Sequence, residues 1–319
     1  MVLLFLAVIL GVVLGAAELG AVDVIRAVFG GASESPEAKI LWYVRIPRVL
    51  GALLCGAALA VSGAVLQGVL ANPLASPSVI GVNAGAGLAV TVCSAVGIVG
   101  GWRLSLFAFL GAFAAVMLVS LGAKKWGASR GTVILMGVAL NSLLGAASDT
   151  VITLIPDVSI LSSDFKVGDF SAVTYTKLLP AGVVILVTLL ILCTLSNELD
   201  ILTLGDDSAK GLGLNTTVMR VIFLLLAALL SGAAVSTCGL LSFVGLLVPH
   251  AVRGITGGQT RHRLPLCALF GAGFVTLCDT LARVVFAPYE FPVGILMAFI
   301  GAPFFLFILI RKKGGYRRA

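Results

Sequence analysis

The chain has 319 residues, of which 60% are hydrophobic and only 11% are charged. Because soluble proteins carry charge on about 25% of their residues, this composition excludes a soluble globular chain and indicates an integral membrane protein. The net charge of +7 is not accompanied by a basic and aromatic face, so we attribute it to membrane topology and predict no nucleic-acid partner.

Ten apolar runs approach the length of a transmembrane helix, which needs about 20 mostly apolar residues. They lack the strict alternation of a transmembrane barrel. In chain order they cover residues 2–17, 47–70, 77–98, 104–123, 131–155, 178–195, 217–237, 240–253, 264–284 and 292–310. We therefore predict an all-α polytopic protein, a bundle of about ten transmembrane helices in one domain over residues 1–319.

The first run has no cation before it, because Met1 leads directly into Val2 and Leu3. A secretory signal peptide would carry a basic segment at this position. The run is also only about 16 residues long, which is short for a span. We expect either a chain that begins later than similar proteins do or a misassigned start.

Proline and small polar residues mark several predicted helix boundaries. Ser76-Pro77 is typical of a helix start, and other boundaries are indicated by Pro156, Pro180 and Pro292. The seventh and eighth runs form one apolar stretch that is too long for one helix. We divide it at residues 236–239, where small polar residues and a glycine cluster.

The distribution of lysine and arginine predicts the orientation, because cytoplasmic loops of membrane proteins are enriched in cations. Ten spans place both termini on one side. If that side is cytoplasmic, its segments carry 13 of the 21 cations, namely Lys124, Lys125, Arg130, Lys210, Arg220, Arg253, Arg261, Arg263, Arg311, Lys312, Lys313, Arg317 and Arg318.

The sequence lacks the short motifs that would indicate catalysis. It has no G-x-x-x-x-G-K-[ST], H-E-x-x-H or G-x-S-x-G motif, and two histidines, His250 and His262, are too few for a histidine metal site. The six cysteines lie in or beside apolar runs without C-x-x-C spacing, as buried small hydrophobic residues do. We predict no catalytic residue, cofactor or metal in this chain, and transport as its function class.

A few polar side chains lie inside predicted spans, where they are costly unless they face water or a partner. Four of them fall in the fifth run: Asn141, Ser142, Ser148 and Asp149. We interpret them either as the lining of a translocation path or as structural hydrogen-bond anchors.

Several segments closely resemble one family. These are YVRIPRVLGALLCGAALAVSGAVLQGVLANPLASPSVIGVNAGAG, LTLGDDSAKGLGL, FVGLLVPHAVR, HRLP and GAPFFLFIL, which follow one another from residue 43 to residue 309. In this order they resemble the permease subunits of bacterial ABC importers for iron-siderophores, haem and cobalamin. The resemblance covers nearly the whole chain.

The resemblance implies a multi-pass subunit of the bacterial cytoplasmic membrane with both termini in the cytoplasm. The expected partners are a second, identical or paralogous permease subunit, two cytoplasmic ATPase subunits and an extracytoplasmic binding protein that delivers an iron-siderophore. Haem and cobalamin are the alternative ligands. An ion-coupled secondary transporter is the alternative from another class, although it would favour several paired ionisable groups at mid-depth.

Residues 197–216 form the longest polar loop on the predicted cytoplasmic side. Asp206 and Asp207 favour a helix start here, and Gly211 and Gly213 favour its end. A simple solvated loop is the alternative. The resemblance implies that this segment couples the permease to the ATPase, through Leu204, Gly205, Asp206, Ala209, Leu212 and Gly213. Bulky replacements at Gly205 or Ala209 are therefore expected to uncouple ATP hydrolysis from uptake.

Arg45 and Arg48 flank Ile46-Pro47 at the start of the second run. Proline predicts a non-helical segment here, with both arginines near the membrane interface. The resemblance implies that Arg45, Arg48 and Arg283 receive acidic residues of the binding protein, a task that suits guanidinium groups. The alternatives are that Arg45 and Arg48 anchor the helix, and that Arg283 pairs with Asp279 one helical turn away.

The turn Asn72-Pro73-Leu74-Ala75 joins the second and third runs. The resemblance implies that Asn72 and Leu74 form part of a cytoplasmic gate, with a second gate segment within residues 127–132 in which no residue is assigned. A purely structural turn is the alternative. For a path that carries a large chelate, Gly294 and Gly301 of the tenth run are further lining candidates.

Overall fold

The computed structural model of the chain describes residues 2–15, 35–125, 130–256, 259–285, 287 and 289–315. These residues form helices and turns without a strand, which confirms the predicted fold class. The helices are α1 (Val2–Val13), α2 (Pro36–Ile40), α3 (Ile46–Val69), α4 (Val82–Ala95), α5 (Gly101–Lys125), α6 (Arg130–Leu154), α7 (Asp157–Val167), α8 (Tyr175–Thr194), α9 (Ser196–Thr203), α10 (Asp206–Gly211), α11 (Thr216–Cys238), α12 (Val244–Thr256), α13 (Thr260–Val285) and α14 (Val293–Gly315).

Each of the ten predicted runs contains an apolar helix. Among the described residues, six helical stretches are long and apolar enough to cross a membrane: Pro36–Val69, Gly101–Ala123, Arg130–Leu154, Tyr175–Thr194, Thr216–Cys238 and Thr260–Val285. The other four are shorter: Leu4–Val13, Val82–Ala95, Val244–Ile255 and Val293–Leu306. Non-helical backbone at membrane depth is tolerated where protein surrounds it, so short helices fit a bundle whose turns are enclosed by their neighbours.

Helix α3 lies at the centre of the bundle and packs against α11, α12 and α13. Two glycines allow this close packing, because their partners are backbone atoms. A Cβ at Gly56 would collide with the backbone of Gly271 on α13, and one at Gly63 would collide with Gly245 on α12. Close crossing at small residues is a common source of stability between membrane helices.

Gly56→Ala is expected to destabilise the bundle by about 1–3 kcal/mol, because the added methyl group meets backbone that cannot rotate away. Gly87→Ala is the matched control: Gly87 is also a buried helical glycine, but a Cβ there meets nothing within 4 Å. Thermal denaturation midpoints in detergent compare the two variants. Equal midpoints for both variants would contradict the close α3–α13 contact.

Two predicted helix boundaries are wrong. Ser76-Pro77 does not begin a helix, because residues 70–81 form successive turns and α4 starts at Val82 after Gly81, whose φ is +100°. That φ is readily adopted only by glycine, which explains why the helix begins there. Pro180 does not mark a helix boundary either; it lies inside α8, in the second turn, where it removes one backbone hydrogen bond.

The division between the seventh and eighth runs is confirmed. Helix α11 ends at Cys238 and Gly239 follows with φ +73°. Helix α12 starts at Val244, four residues later than predicted, because residues 240–243 form a turn. The helix continues through Pro249 and His250 and ends at Thr256.

Helix α7 was not predicted, although Asp157 in its first turn and Gly168 after its last turn are helix-boundary signals. Its end is tied to two neighbours through backbone hydrogen bonds. Leu240 N donates to Phe165 O at 2.9 Å, and Gly294 N donates to Gly168 O at 3.1 Å. Helix α7 therefore joins the α11–α12 turn and the start of α14 at one end of the bundle.

Candidate functional sites

A cluster of buried charges lies where α3 begins and α13 ends; we call this the Arg48 end of the bundle. Arg48 Nε donates to both carboxylate oxygens of Asp279, at 3.1 and 3.2 Å. Its Nη1 donates to Glu290 Oε2 at 2.6 Å, and its Nη2 lies 3.4 Å from Asp169 Oδ1. Arg48 is only 2% exposed and Asp279 only 1%, so the pair is withdrawn from water.

Two further arginines bind the last turn of α1. Arg45 Nη1 donates to Val12 O at 2.9 Å and to Val13 O at 2.6 Å. Arg283 Nη2 donates to Gly11 O at 3.1 Å, and its Nε lies 3.2 Å from Asp279 Oδ2. Cations are favoured at a helix C-terminus, where the final carbonyl groups lack partners. The three arginines thus fasten α1, α3 and α13 together.

The structure decides several expectations about these arginines. The Asp279–Arg283 ion pair within α13 is confirmed. The prediction of a non-helical segment at Pro47 is wrong, because Leu41–Arg45 forms a π-helical turn that continues into α3. A π turn widens the helix. It therefore makes room for a proline ring and tolerates a residue that has no backbone N–H to donate. Arg45 and Arg48 are 3% and 2% exposed, so protein encloses both; their position near the membrane interface stays a prediction. Docking by all three arginines stays a prediction.

The sequence reasoning missed the partners of Arg48. Asp169 follows the unpredicted helix α7, and Glu290 precedes α14. Glu290 is the accessible member of the cluster, with a side chain that is 40% exposed. Both residues are acidic and lie between spans on the same predicted side as Arg48, and this shared location was the available signal.

One face of α6 carries two of the predicted path residues, and the third, Asn141, lies beside this face toward residues 78–79. Ser142 and Asp149 lie seven residues apart, two helical turns, and both are exposed on this single chain. Asn141 is partly exposed and donates through Nδ2 to Ser78 O at 2.8 Å. The same helix also exposes Leu135 and Leu143, by 70% and 66%. This mixed face is therefore open to a partner or to a path.

Three other lining candidates do not fit the path. Ser148 is 7% exposed and shares a hydrogen bond of 2.9 Å with Thr91 on α4, so it serves packing between α4 and α6. A Cβ at Gly294 would collide with the carbonyl group of Val167, and one at Gly301 would collide with the Phe243 ring. These two glycines allow close packing of α14 and line no open space.

The turn after α3 marks the opposite end of the bundle, which we call the Asn72 end. Asn72 Oδ1 accepts a hydrogen bond from Leu74 N at 2.9 Å, which fixes the turn in the manner typical of asparagine. Leu74 is 47% exposed, and its role in a gate stays a prediction. Of the second predicted gate segment, residues 127–129 lie outside the described residues.

The predicted coupling segment forms two short helices, α9 and α10, at the Asn72 end. Helix α10 begins at Asp206 and ends at Gly211, as the sequence predicts. Leu204 and Leu212 flank it and are 63% and 64% exposed. Ala209 is completely buried, so a bulky residue there would disturb the bundle itself and would not test coupling.

Two arginines fix α10 on the bundle through Asp206. Arg220 Nη2 donates to Asp206 Oδ1 at 2.7 Å and to Oδ2 at 2.9 Å, and Arg130 Nη2 donates to Oδ1 at 3.3 Å. Burial acts to raise the pKa of Asp206, but Arg220 and Arg130 outweigh it and hold this pKa below its usual value. The carboxylate therefore stays ionised at neutral pH, and its contribution to stability is lost only as the pH falls below the usual aspartate pKa of about 4.

Comparison with known proteins agrees with this architecture. Residues 3–311 match the model of the FecCD transport family. The hemin transport system permease protein HmuU of Yersinia pestis is 37% identical over 320 residues, which cover 98% of this chain and 95% of the relative. The Fe(3+) dicitrate transport system permease protein FecD of Escherichia coli strain K12 is 39% identical over 280 residues, 86% of each chain.

The fold is also similar to a solved structure. A metal-chelate type ABC transporter in an inward-facing conformation aligns with a TM-score of 0.84 and 30% identity, over 97% of this chain and 96% of that one. The family model, the similar sequences and the similar structure all match this chain over most or nearly all of its length. The chain belongs to the FecCD transport family and is a transmembrane ABC permease.

Proposed function

We propose that this permease imports an iron-siderophore-type chelate across the bacterial cytoplasmic membrane, as a single transmembrane domain paired with a second permease subunit. The observation that carries this proposal is the family match over residues 3–311, supported by relatives that carry hemin and ferric dicitrate. Haem is the alternative ligand within the same family, as is cobalamin. Both termini and the Asn72 end lie in the cytoplasm.

Coupling to two ATPase subunits occurs at the α9–α10 segment in this proposal. The exposed side chains of Leu204 and Leu212 are the apolar anchors, since exposed leucines on a polar loop mark an interaction surface. Gly205 and Gly213, with φ of +110° and +84°, shape the backbone around α10. Asp206 holds α10 on the bundle, so force on this helix reaches α6 and α11 through Arg130 and Arg220.

Docking of the binding protein occurs at the Arg48 end. Because Arg48 is buried, an acidic residue of the partner reaches it only by taking the place of Glu290, whose carboxylate is the exposed member of the cluster. Arg45 and Arg283 contribute by holding α1 in position beside Arg48. The sequence alone suggests that the arginines face the partner directly. In this proposal they are buried, and the partner first displaces Glu290.

The path runs along the exposed face of α6, with Asn141, Ser142 and Asp149 as polar lining between two permease subunits. Asn72 and Leu74 contribute to the gate at its cytoplasmic end. A wide path with few charges suits a large chelate better than a small hydrated ion, because it presents several weak contacts and no tight cage.

Reconstituted transport tests the proposal. We expect the permease to co-purify with an ATPase subunit, and the ATPase activity to rise when a binding protein loaded with an iron-siderophore is added. Loading the same binding protein with haem or cobalamin provides the matched comparison of ligands. Uptake that continues without ATP and collapses with the ion gradient would show a secondary transporter and contradict the proposal.

A further inference from the structure

The Asn72 end contains a polar cavity of about 210 Å³, and of its polar lining residues only Asn72 has a part in the transport function proposed above. It lies between the turn after α3, the end of α9, the end of α12 and the start of α13. The polar residues that line it are Gln67, Asn72, Thr203, Arg253 and Arg263. No carboxylate is among its lining residues within the described part of the chain, so the cavity carries two positive charges.

Arg263 is the central observation, because it is only 9% exposed and makes no hydrogen bond or ion pair with a carboxylate in the described chain; the nearby Asp200 acts on its charge without touching it. Arg263 Nη2 donates to Thr260 Oγ1 at 2.9 Å, and its Nε finds no acceptor among the described residues. The other described buried arginines differ. Arg48, Arg220 and Arg283 each have a carboxylate partner, and Arg45 donates to the backbone carbonyl groups of Val12 and Val13. A buried guanidinium without a counter-ion is costly unless a ligand supplies one.

The neighbouring polar groups are already hydrogen-bonded to one another or to the backbone. Asp200, on the adjacent α9, uses both carboxylate oxygens to accept from Thr260 N, each at 3.2 Å. Thr203 Oγ1 donates to Asp200 O at 2.7 Å. Arg253 is exposed at the mouth, where no ion pair forms with a described residue.

We propose that this cavity binds a phosphate group, held by Arg253 and Arg263 with the Asn72 amide beside it. Two guanidinium forks match the tetrahedral oxygens of phosphate, and charge-assisted hydrogen bonds of this kind are among the strong ones in proteins. The source is either the headgroup of an anionic phospholipid or a soluble phosphate. The bound group would bridge α12 and α13 to the turn that carries Asn72, and would stabilise this end of the bundle. The inference does not depend on which chelate is transported.

The test uses the purified full-length protein with Arg253→Gln, Arg263→Gln and the control Arg261→Gln. Arg261 is exposed, lies on the same first turn of α13, and does not line the cavity. One arm titrates inorganic phosphate against sodium chloride at equal ionic strength and follows the thermal midpoint. The other arm reconstitutes the protein in phosphatidylcholine vesicles with or without phosphatidylglycerol and measures retained lipid by native mass spectrometry.

We expect wild type and Arg261→Gln to bind phosphate or phosphatidylglycerol, and both cavity variants to bind roughly tenfold or more weakly. A response to phosphate identifies a soluble ligand, whereas selective retention of phosphatidylglycerol without that response identifies a lipid headgroup; either supports the site. Arg253→Gln keeps the test decisive if Arg263→Gln fails to fold, because Arg253 is exposed. Equal binding by wild type, control and cavity variants in both arms overturns the proposal, as does no binding by any of them.

Discussion

Arg48→Met is expected to reduce the stability of the protein by about 3–5 kcal/mol, the cost of leaving buried ions without their partner. The substitution keeps much of the side-chain volume but removes the one cation among the described residues that contacts Asp279, Glu290 and Asp169 together. Asp279 is 1% exposed and would retain Arg283 alone. The measurement is the thermal midpoint and the yield of monodisperse protein in detergent.

Arg103→Met is the matched control for this variant. Arg103 lies at the same end of the bundle, is exposed, and contacts the Trp102 ring at 5.9 Å from its centroid. Its loss should cost about 1 kcal/mol or less. Adding Asp279→Asn to Arg48→Met should recover part of the lost stability, because it removes a buried negative charge. An Arg48→Met protein as stable as the control would contradict the buried cluster.

The same geometry limits how docking can be tested. Charge reversal at Arg45 or Arg48 would break internal hydrogen bonds as well as any contact with a binding protein. Loss of uptake in such a variant would therefore not distinguish docking from misfolding. Glu290 is the better position for a docking test, since its side chain is 40% exposed and lies 2.6 Å from Arg48 Nη1.

The double variant Leu204→Ser, Leu212→Ser is expected to lower uptake at least tenfold while the fold remains intact. Both leucines are more than 60% exposed on the single chain, so they contribute little to its own core. An apolar anchor that is buried against a partner is worth about 1–2 kcal/mol or more, and each 1.4 kcal/mol corresponds to a factor of ten. Uptake and stimulated ATPase activity in vesicles are the measurements.

Val218→Ser is the matched control for the coupling variant. Val218 is 46% exposed, apolar and located in the first turn of α11, but it lies outside the α9–α10 segment. It should leave uptake near the wild-type level. Wild-type uptake in the double variant, or an equal loss in the control, would remove the assignment of Leu204 and Leu212 to coupling.

Helix positions could be predicted from the sequence because each is a local property. In lipid the backbone must satisfy its own hydrogen bonds, so an apolar run becomes a helix wherever it lies. Neighbouring residues were enough to predict the ten runs, the start of α10 at Asp206 and the break at Gly239. Predictions of helix boundaries were wrong where turn geometry decides the boundary. Gly81 is the example, because no sequence pattern revealed its positive φ.

The charge arrangements depended on the tertiary structure, because their members are far apart along the chain. Asp169 and Glu290 lie 121 and 242 residues from Arg48, and only the packing of α7, α3 and α14 brings them together. Whether an arginine is exposed for a partner, paired inside or left unpaired is likewise decided by burial. The sequence by itself determined the membrane bundle and its family; tertiary packing decided that Arg48 is enclosed by carboxylates and that Arg263 is buried without one.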